Sequence, residues 1–248
     1  MTRVTIRAML PAPFEWIGDH IGIALPGGEA LFTTRRGGLS TGPYASLNLG
    51  RWTDDDPDAV RANRERLADG IDLPLEAVVQ GRQVHGAHVE RRAGDDTALR
   101  DADGQATAER ERALLVLAAD CLPVALIGTR AVAMLHAGWR GLAAGILDEG
   151  VRALRELGDD GPLHAAIGPG AGPCCYEVGP EVHAAFASPR AGGPIDLKAL
   201  AAARLDAAGV AHVHDVGLCT ICSDPSLFFS HRREAGVTGR QAGVAWRS

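Results

Sequence analysis

Of the 25 basic side chains in this sequence only one, Lys198, is lysine. That skew reflects genomic base composition more than chemistry. Basic charge is also scarce in net terms: the formal charge is −6 and the pI about 5.8. No global positive field exists to gather nucleic acid, although Arg232, Arg233 and Arg240 form a local cluster able to hold one phosphate. No stretch approaches the roughly 18 consecutive apolar residues of a membrane span. Residues 1–10 carry charge without a continuous apolar core, which argues against a secretory signal. The five cysteines are odd in number and include two closely spaced pairs, so a long-range disulfide framework is not expected and a reducing cytoplasm fits. No fixed-period repeat is present, which excludes solenoids and propellers. Gly168-Pro169-Gly170-Ala171-Gly172 lacks the spacing of a nucleotide-binding loop.

What remains is an ordinary globular composition, 46% hydrophobic and 23% charged, in a chain long enough for one buried core. Residues 30–36 read as a strand ending at Gly37-Gly38. Residues 42–50, with Pro43, Ser46 and Asn48, read as an ordered loop. A helix is expected over 57–68 through Val60, Arg64 and Leu67, with Asp54, Asp55 and Asp56 near its start. Residues 113–119 and 122–127 are short apolar runs expected as buried strands. Residues 131–135 form a third, delivering His136 at its C-terminal end.

Leu142, Ile146, Leu147, Val151, Leu154 and Leu157 follow a helical stripe closed by Gly158. Further helices are expected over 180–186 and 196–208, the second capped by Asp196, and further strands over 210–216, 227–232 and 242–246. This mixture without a strict βαβ repeat predicts an α+β (mixed α/β) fold. It is expected as a single domain over 1–248, with a mixed β-sheet flanked by helices.

Three strings carry chemistry: Gln83-Val84-His85-Gly86, Asp120-Cys121-Leu122-Pro123 and His136-Ala137-Gly138-Trp139-Arg140-Gly141. Two imidazoles and a thiolate would fill three positions around Zn²⁺ and leave one open, as in catalytic zinc sites. His88 is a candidate fourth ligand. Cys121 also reads as an inert buried thiol, or with His136 as a nucleophilic dyad without metal. Gly138 and Gly141 permit close approach, Arg140 offers a planar fork for phosphate or carboxylate, and Trp139 a stacking face. Cys219-Thr220-Ile221-Cys222 has the spacing of half a zinc ribbon or a thioredoxin-type pair, but no second C-x-x-C accompanies it. Cys174-Cys175 reads as structural, and Glu177 beside it as a candidate buried acid.

Together with Gly42-Pro43-Tyr44-Ala45-Ser46-Leu47-Asn48-Leu49-Gly50, Asn63-Arg64, Cys174-Cys175-Tyr176-Glu177-Val178-Gly179 and Phe229-Ser230-His231-Arg232-Arg233 followed by Thr238-Gly239-Arg240, these strings resemble one family closely. It is the laccase-domain, or multicopper polyphenol oxidase-like, family, whose members are also described as purine nucleoside phosphorylases and peptidoglycan editing factors. The resemblance covers most of the chain. It implies zinc held by His85, Cys121 and His136, with Cu²⁺ as the alternative ion. It also implies phosphorolysis of adenosine, inosine, guanosine and methylthioadenosine, with adenosine deamination as a companion activity.

Within that reading Asn48, Arg64 and Arg140 are the candidate substrate-binding residues. The expected partners are purine nucleosides and phosphate, without nucleic acid or membrane, in a cytoplasmic monomer. His88 and His231 depart from residues the family more often carries. A zinc hydrolase acting on peptidoglycan precursors, a copper-dependent polyphenol oxidase and a non-enzymatic zinc protein are the competing readings. The oxidase requires many histidines in H-x-H pairs, whereas this chain has nine histidines and one such pair, His212-Val213-His214.

Overall fold

Apolar alternation on both faces of the central strands dictates the architecture seen in a computed structural model, which describes residues 9–94 and 96–248. The first sheet runs, in spatial order, β1 (Glu15–Ile17), β2 (His20–Leu25), β3 (Gly28–Phe32), β14 (Gln241–Trp246), β7 (Ala113–Ala118) and β4 (Val78–Gln80). The second runs β13 (His212–Asp215), β10 (His164–Ile167), β8 (Leu122–Ile127), β9 (Val132–Ala137), β6 (Gly104–Thr107) and β5 (Val89–Arg91). Both are mixed. β4 joins β7 in parallel, and β13 and β5 are the parallel edges of the second sheet. A two-stranded pair, β11 (Glu177–Val178) and β12 (Gly193–Pro194), completes the strands. The α+β class expected from sequence is what the molecule adopts, with its β-structure divided between two six-stranded sheets.

Among the described residues the α-helices are α1 (Pro57–Asp69), α2 (Trp139–Ala143), α3 (Ile146–Glu156), α4 (Pro180–Ala185) and α5 (Leu197–Ala207). The sheets face each other across a layer made by Ile21, Phe32, Leu114 and Val116 from one and Ala125, Ile127, Met134 and Ala166 from the other. On the far side of the first sheet, Leu115, Leu117 and Val244 pack with Leu67 and Ala68 of α1. On the far side of the second, Val124, Leu126 and Leu135 pack with Ile146, Leu147 and Leu154 of α3 and Leu205 of α5. The order is therefore helix, sheet, sheet, helices. Being covered on both faces is why β7, β8 and β9 read as uninterrupted apolar runs.

Two expectations are corrected and the bounds of a third are shifted. The stripe from Leu142 to Leu157 is two helices, because Gly145 adopts a left-handed φ of 93° between α2 and α3. The strand expected over 131–135 runs from Val132 to Ala137, so His136, at its C-terminal end as expected, is itself a strand residue. Residues 227–232 form no strand: the Gln241 side chain accepts from Phe229 N (2.8 Å) and donates to Phe229 O (3.0 Å), replacing a ladder partner. The expectation placed on residues 1–10 falls largely outside the described residues. Among the described residues no helix is long and apolar enough to cross a membrane.

Candidate metal centre

The link from β7 to β8 carries the chain from one sheet to the other, and its three residues are Ala119-Asp120-Cys121. His136 sits opposite, paired in register with Pro123 of β8. It shares the face of β9 that carries Val132 and Met134 into the layer between the sheets. The loop after β4 supplies His85. One ligand atom from each of His85, Cys121 and His136 lies within 4.8 Å of the others. The two imidazoles meet edge-on, with centroids 5.0 Å apart and planes at 73°. The structure thus brings all three side chains to one point at the end of the inter-sheet layer.

One of the three, and the residue before another, sit at backbone positions that need external support. His85 has φ 59°, and Asp120, just before Cys121, has φ 91°. Residues other than glycine hold such angles only where their surroundings over-determine them. For His85 the support is Asp103, 0% exposed. Its carboxylate accepts from the backbone N–H groups of Val84 (3.0 Å), His85 (2.9 Å) and Gly86 (2.7 Å). Gln83 adds a second clamp, donating to Leu117 O (2.7 Å) and accepting from Leu117 N (2.8 Å) on β7. For Asp120 the support is its own carboxylate, which accepts from Thr220 Oγ1 (2.6 Å) and Arg232 N (2.7 Å).

Asp103 has a further task. Its Oδ1 lies 2.8 Å from His136 Nδ1, so that nitrogen carries its proton toward the carboxylate and Nε2 is left for a cation. Burial works against ionisation of Asp103, but His136 and the N–H groups of Gly86 and Val84 outweigh it and hold the carboxyl below its ordinary range. Burial also opposes a thiolate at Cys121. His136 and His85 overcome that penalty and bring the thiol down to about 6. At His136 burial favours the neutral ring, yet Cys121 and Asp103 raise it to about 9. Each group thus favours the charged form of the other.

Space is reserved for a cation by glycine. A Cβ on Gly138 would stand 2.9 Å from Cys121 Sγ and 3.3 Å from His85 Cδ2, and one on Gly141 2.7 Å from Gly86 O. The donor set fits the ion. A thiolate, an Nε2-directed imidazole and a second, solvent-facing imidazole suit Zn²⁺ or copper. Among the described residues no fourth His, Cys, Asp or Glu atom joins the group. His88 is exposed and faces Glu90 at 3.3 Å instead.

The three side chains lie in a cleft of about 450 Å³, within the range of small-molecule sites. Arg140, Arg232 and Arg240 give it a cationic wall, and His231, Trp139 and Tyr176 give it ring faces. Arg140 stacks on Trp139, its Cζ 4.3 Å from the ring centroid. Arg232 lies over Tyr176 at 5.3 Å. Burial lowers the Arg240 pKa, while Cys121 and Asp120 pull the other way, so this guanidinium faces the centre.

Two residues expected to touch substrate are placed elsewhere. Asn48 is 0% exposed and does not line the cleft. It donates to Thr53 and Asp55 and accepts from Gly50 N and Arg240 N, so its amide is saturated. Arg64, 2% exposed on α1, donates to Leu49 O and Gln80 Oε1 and lines a different hollow. Both tie the 42–50 loop to its neighbours. Glu177, expected as a buried acid, is exposed on β11. His212 and His214 sit on edge strand β13, stacked against His164 and remote from the cleft lining. Sequence reading passed over Asp103: an acid before glycine resembles any solvated turn, and only its contacts distinguish it.

Purine nucleoside phosphorylase PA4543 of Pseudomonas aeruginosa is 41% identical over 234 residues, 88% of this chain and 93% of that protein. Purine nucleoside phosphorylase YlmD of Geobacillus stearothermophilus is 39% identical over 242 residues, 86% of this chain and 88% of that one. The crystal structure of YlmD from Geobacillus stearothermophilus superposes with TM-score 0.89 at 35% identity, over 96% of this chain and 99% of that chain. Neisseria meningitidis protein NMB0706 gives TM-score 0.84, also at 35% identity, over 93% and 99%. Residues 29–248 match the family described as multi-copper polyphenol oxidoreductase laccase, and on that match and these likenesses the chain belongs to it.

Proposed function

We propose that this chain is a metal-dependent purine nucleoside phosphorylase acting on adenosine, inosine, guanosine and methylthioadenosine, with adenosine deamination as a companion activity. The observation that carries the reading is the convergence of His85, Cys121 and His136 beneath a wall of arginines, in a cleft that also offers aromatic faces. The names of the relatives support the phosphorylase. His85, Cys121 and His136 would hold the ion, Zn²⁺ first and Cu²⁺ as the competitor. When bound, such an ion supplies Lewis acidity and activates water near neutral pH.

The chain's own residues do the rest. Arg140, exposed at the cleft, presents its fork to phosphate, while Arg240 and Arg232 add positive charge on the same wall. Trp139 and Tyr176 offer faces on which a purine can stack. Asp103 holds the His136 ring in one orientation. The copper oxidase finds less support, since the H-x-H pair lies away from Cys121.

The test is to incubate metal-quantified protein with adenosine, with and without phosphate. Adenine and ribose 1-phosphate that require phosphate are expected, with inosine formed independently of it. Absence of all these products at every phosphate concentration would overturn the reading and turn attention to amide hydrolysis of a cell-wall precursor. Arg140→Ala is expected to raise the phosphate KM at least about tenfold; an unchanged KM removes Arg140 from phosphate binding.

A further inference from the structure

Four of the five cysteines take no part in the centre described above. Cys174 and Cys175 lie on the turn after Gly172, and Cys219 and Cys222 on the turn after β13. The 43 residues between Cys175 and Cys219 hide the relation in sequence, where the second pair of a metal-binding knuckle looked absent. In the fold all four sulfurs lie within 4.8 Å of one another, with Cys174 Sγ and Cys222 Sγ 3.3 Å apart. None is in a disulfide. A tetrahedral Zn²⁺ with Zn–S bonds of about 2.3 Å sets its sulfurs about 3.8 Å apart, which falls inside this spread.

The surroundings suit a thiolate at Cys219. Gly172 N donates to Cys219 Sγ at 3.2 Å, and the backbone N–H groups of Ile221 and Cys222 point at the same sulfur. A Cβ on Gly172 would stand 3.2 Å from Cys219 Cβ and 3.4 Å from Cys174 Sγ, so glycine keeps the two turns close. Cys219 is buried while Cys174 and Cys222 are exposed, which leaves a path for an ion. We propose that Cys174, Cys175, Cys219 and Cys222 bind a second Zn²⁺ in an all-thiolate structural site. Its place in the fold gives it a role. The turns it joins are already linked by Thr220 N to Gly170 O (3.1 Å). They hold Asp120 through Ala171 N to Asp120 O (2.8 Å) and Thr220 Oγ1 to Asp120 Oδ1 (2.6 Å). The ion clamps the wall behind Cys121.

This inference stands apart from the catalytic reading, and four proteins test it after purification with reductant and without chelator. Wild type is expected to carry about two equivalents of zinc per chain. Cys219→Ser/Cys222→Ser is expected to lose one equivalent. His85→Ala/His136→Ala is expected to keep one. Cobalt exchanged into that last protein should show the intense charge-transfer absorption of several thiolates. Because the buried Cys219 variant could fail to fold, exposed Cys174→Ser serves as a milder probe and should release its second zinc to a chelator at least about tenfold faster. Three results would overturn the site. One is wild-type zinc content unchanged by the Cys219→Ser/Cys222→Ser pair. Another is a folded but zinc-free His85→Ala/His136→Ala protein. The third is a Cys174–Cys222 disulfide which, once reduced, takes up no zinc.

Discussion

Single residues decide whether the centre can hold a cation. Asp103 accepts from three consecutive backbone N–H groups and from His136 Nδ1, so one carboxylate fixes both the His85 loop and the His136 ring. Asp103→Asn keeps the shape but replaces acceptor capacity with N–H donors facing N–H donors. It is expected to weaken metal affinity about 10- to 100-fold, measured by competition with a chromogenic chelator. Gly138→Ala tests the reserved space. With a methyl 2.9 Å from Cys121 Sγ, the variant should retain its fold by circular dichroism while losing metal and turnover together. Wild-type metal content in Gly138→Ala would refute this packing argument. At this scale the candidacy of His85, Cys121 and His136 was legible from side-chain type, since few residues bind soft cations. Asp103 was not, because its role consists of contacts with partners 17 to 33 positions distant.

At the scale of elements, the loops after β3 and before β14 are held by Glu234. Its carboxylate accepts from Arg35 (2.7 Å), Arg233 (3.2 Å), Ser230 N (3.2 Å) and Thr238 Oγ1. Burial works against its ionisation, but Thr238, Ser230, Arg35 and Arg233 prevail and its pKa falls below the ordinary 4.5. A carboxylate with a depressed folded pKa contributes stability that is present above its unfolded value and lost as pH falls through the folded one. Glu234→Gln should therefore cost roughly 1–3 kcal/mol near pH 7. The gap from wild type should close in denaturant melts as pH drops below about 4.5. A gap that is constant with pH would show that shape, not charge, matters there.

The boundaries of α1 and α5 were readable for a local reason. Asp56 and Asp196 cap them through side-chain bonds to Asp58 N and Ala199 N, and Pro57 starts the first. The break at Gly145 was not readable, because an isolated glycine within an apolar stripe is equally compatible with a continuous helix.

At the scale of the whole molecule, the glycine-rich stretch beginning at Gly168 finds its explanation in packing. A Cβ on Gly168 would overlap the Phe32 ring of the opposite sheet, and one on Gly170 would overlap Leu122. Gly168→Ala forces the sheets apart at the end that carries the metal centre. It is expected to destabilise the fold by about 1–3 kcal/mol in urea unfolding. Metal affinity should fall with it, since the site draws ligands from both sides of the inter-sheet layer. Loss of stability without loss of metal affinity would separate the two.

Residue order alone was enough to read the α+β class and the buried strands β7, β8 and β9, and to nominate His85, Cys121 and His136 as candidate ligands. Apolar runs and ligand chemistry are local properties of the chain. Only the tertiary structure decided that the strands divide into two facing sheets, because a buried run does not state which partner covers it. It alone assigned Asn48 and Arg64 to the scaffold, since both have polar side chains suited equally to substrate and to backbone. It alone gathered Cys174, Cys175, Cys219 and Cys222, whose nearness depends on where two distant turns meet.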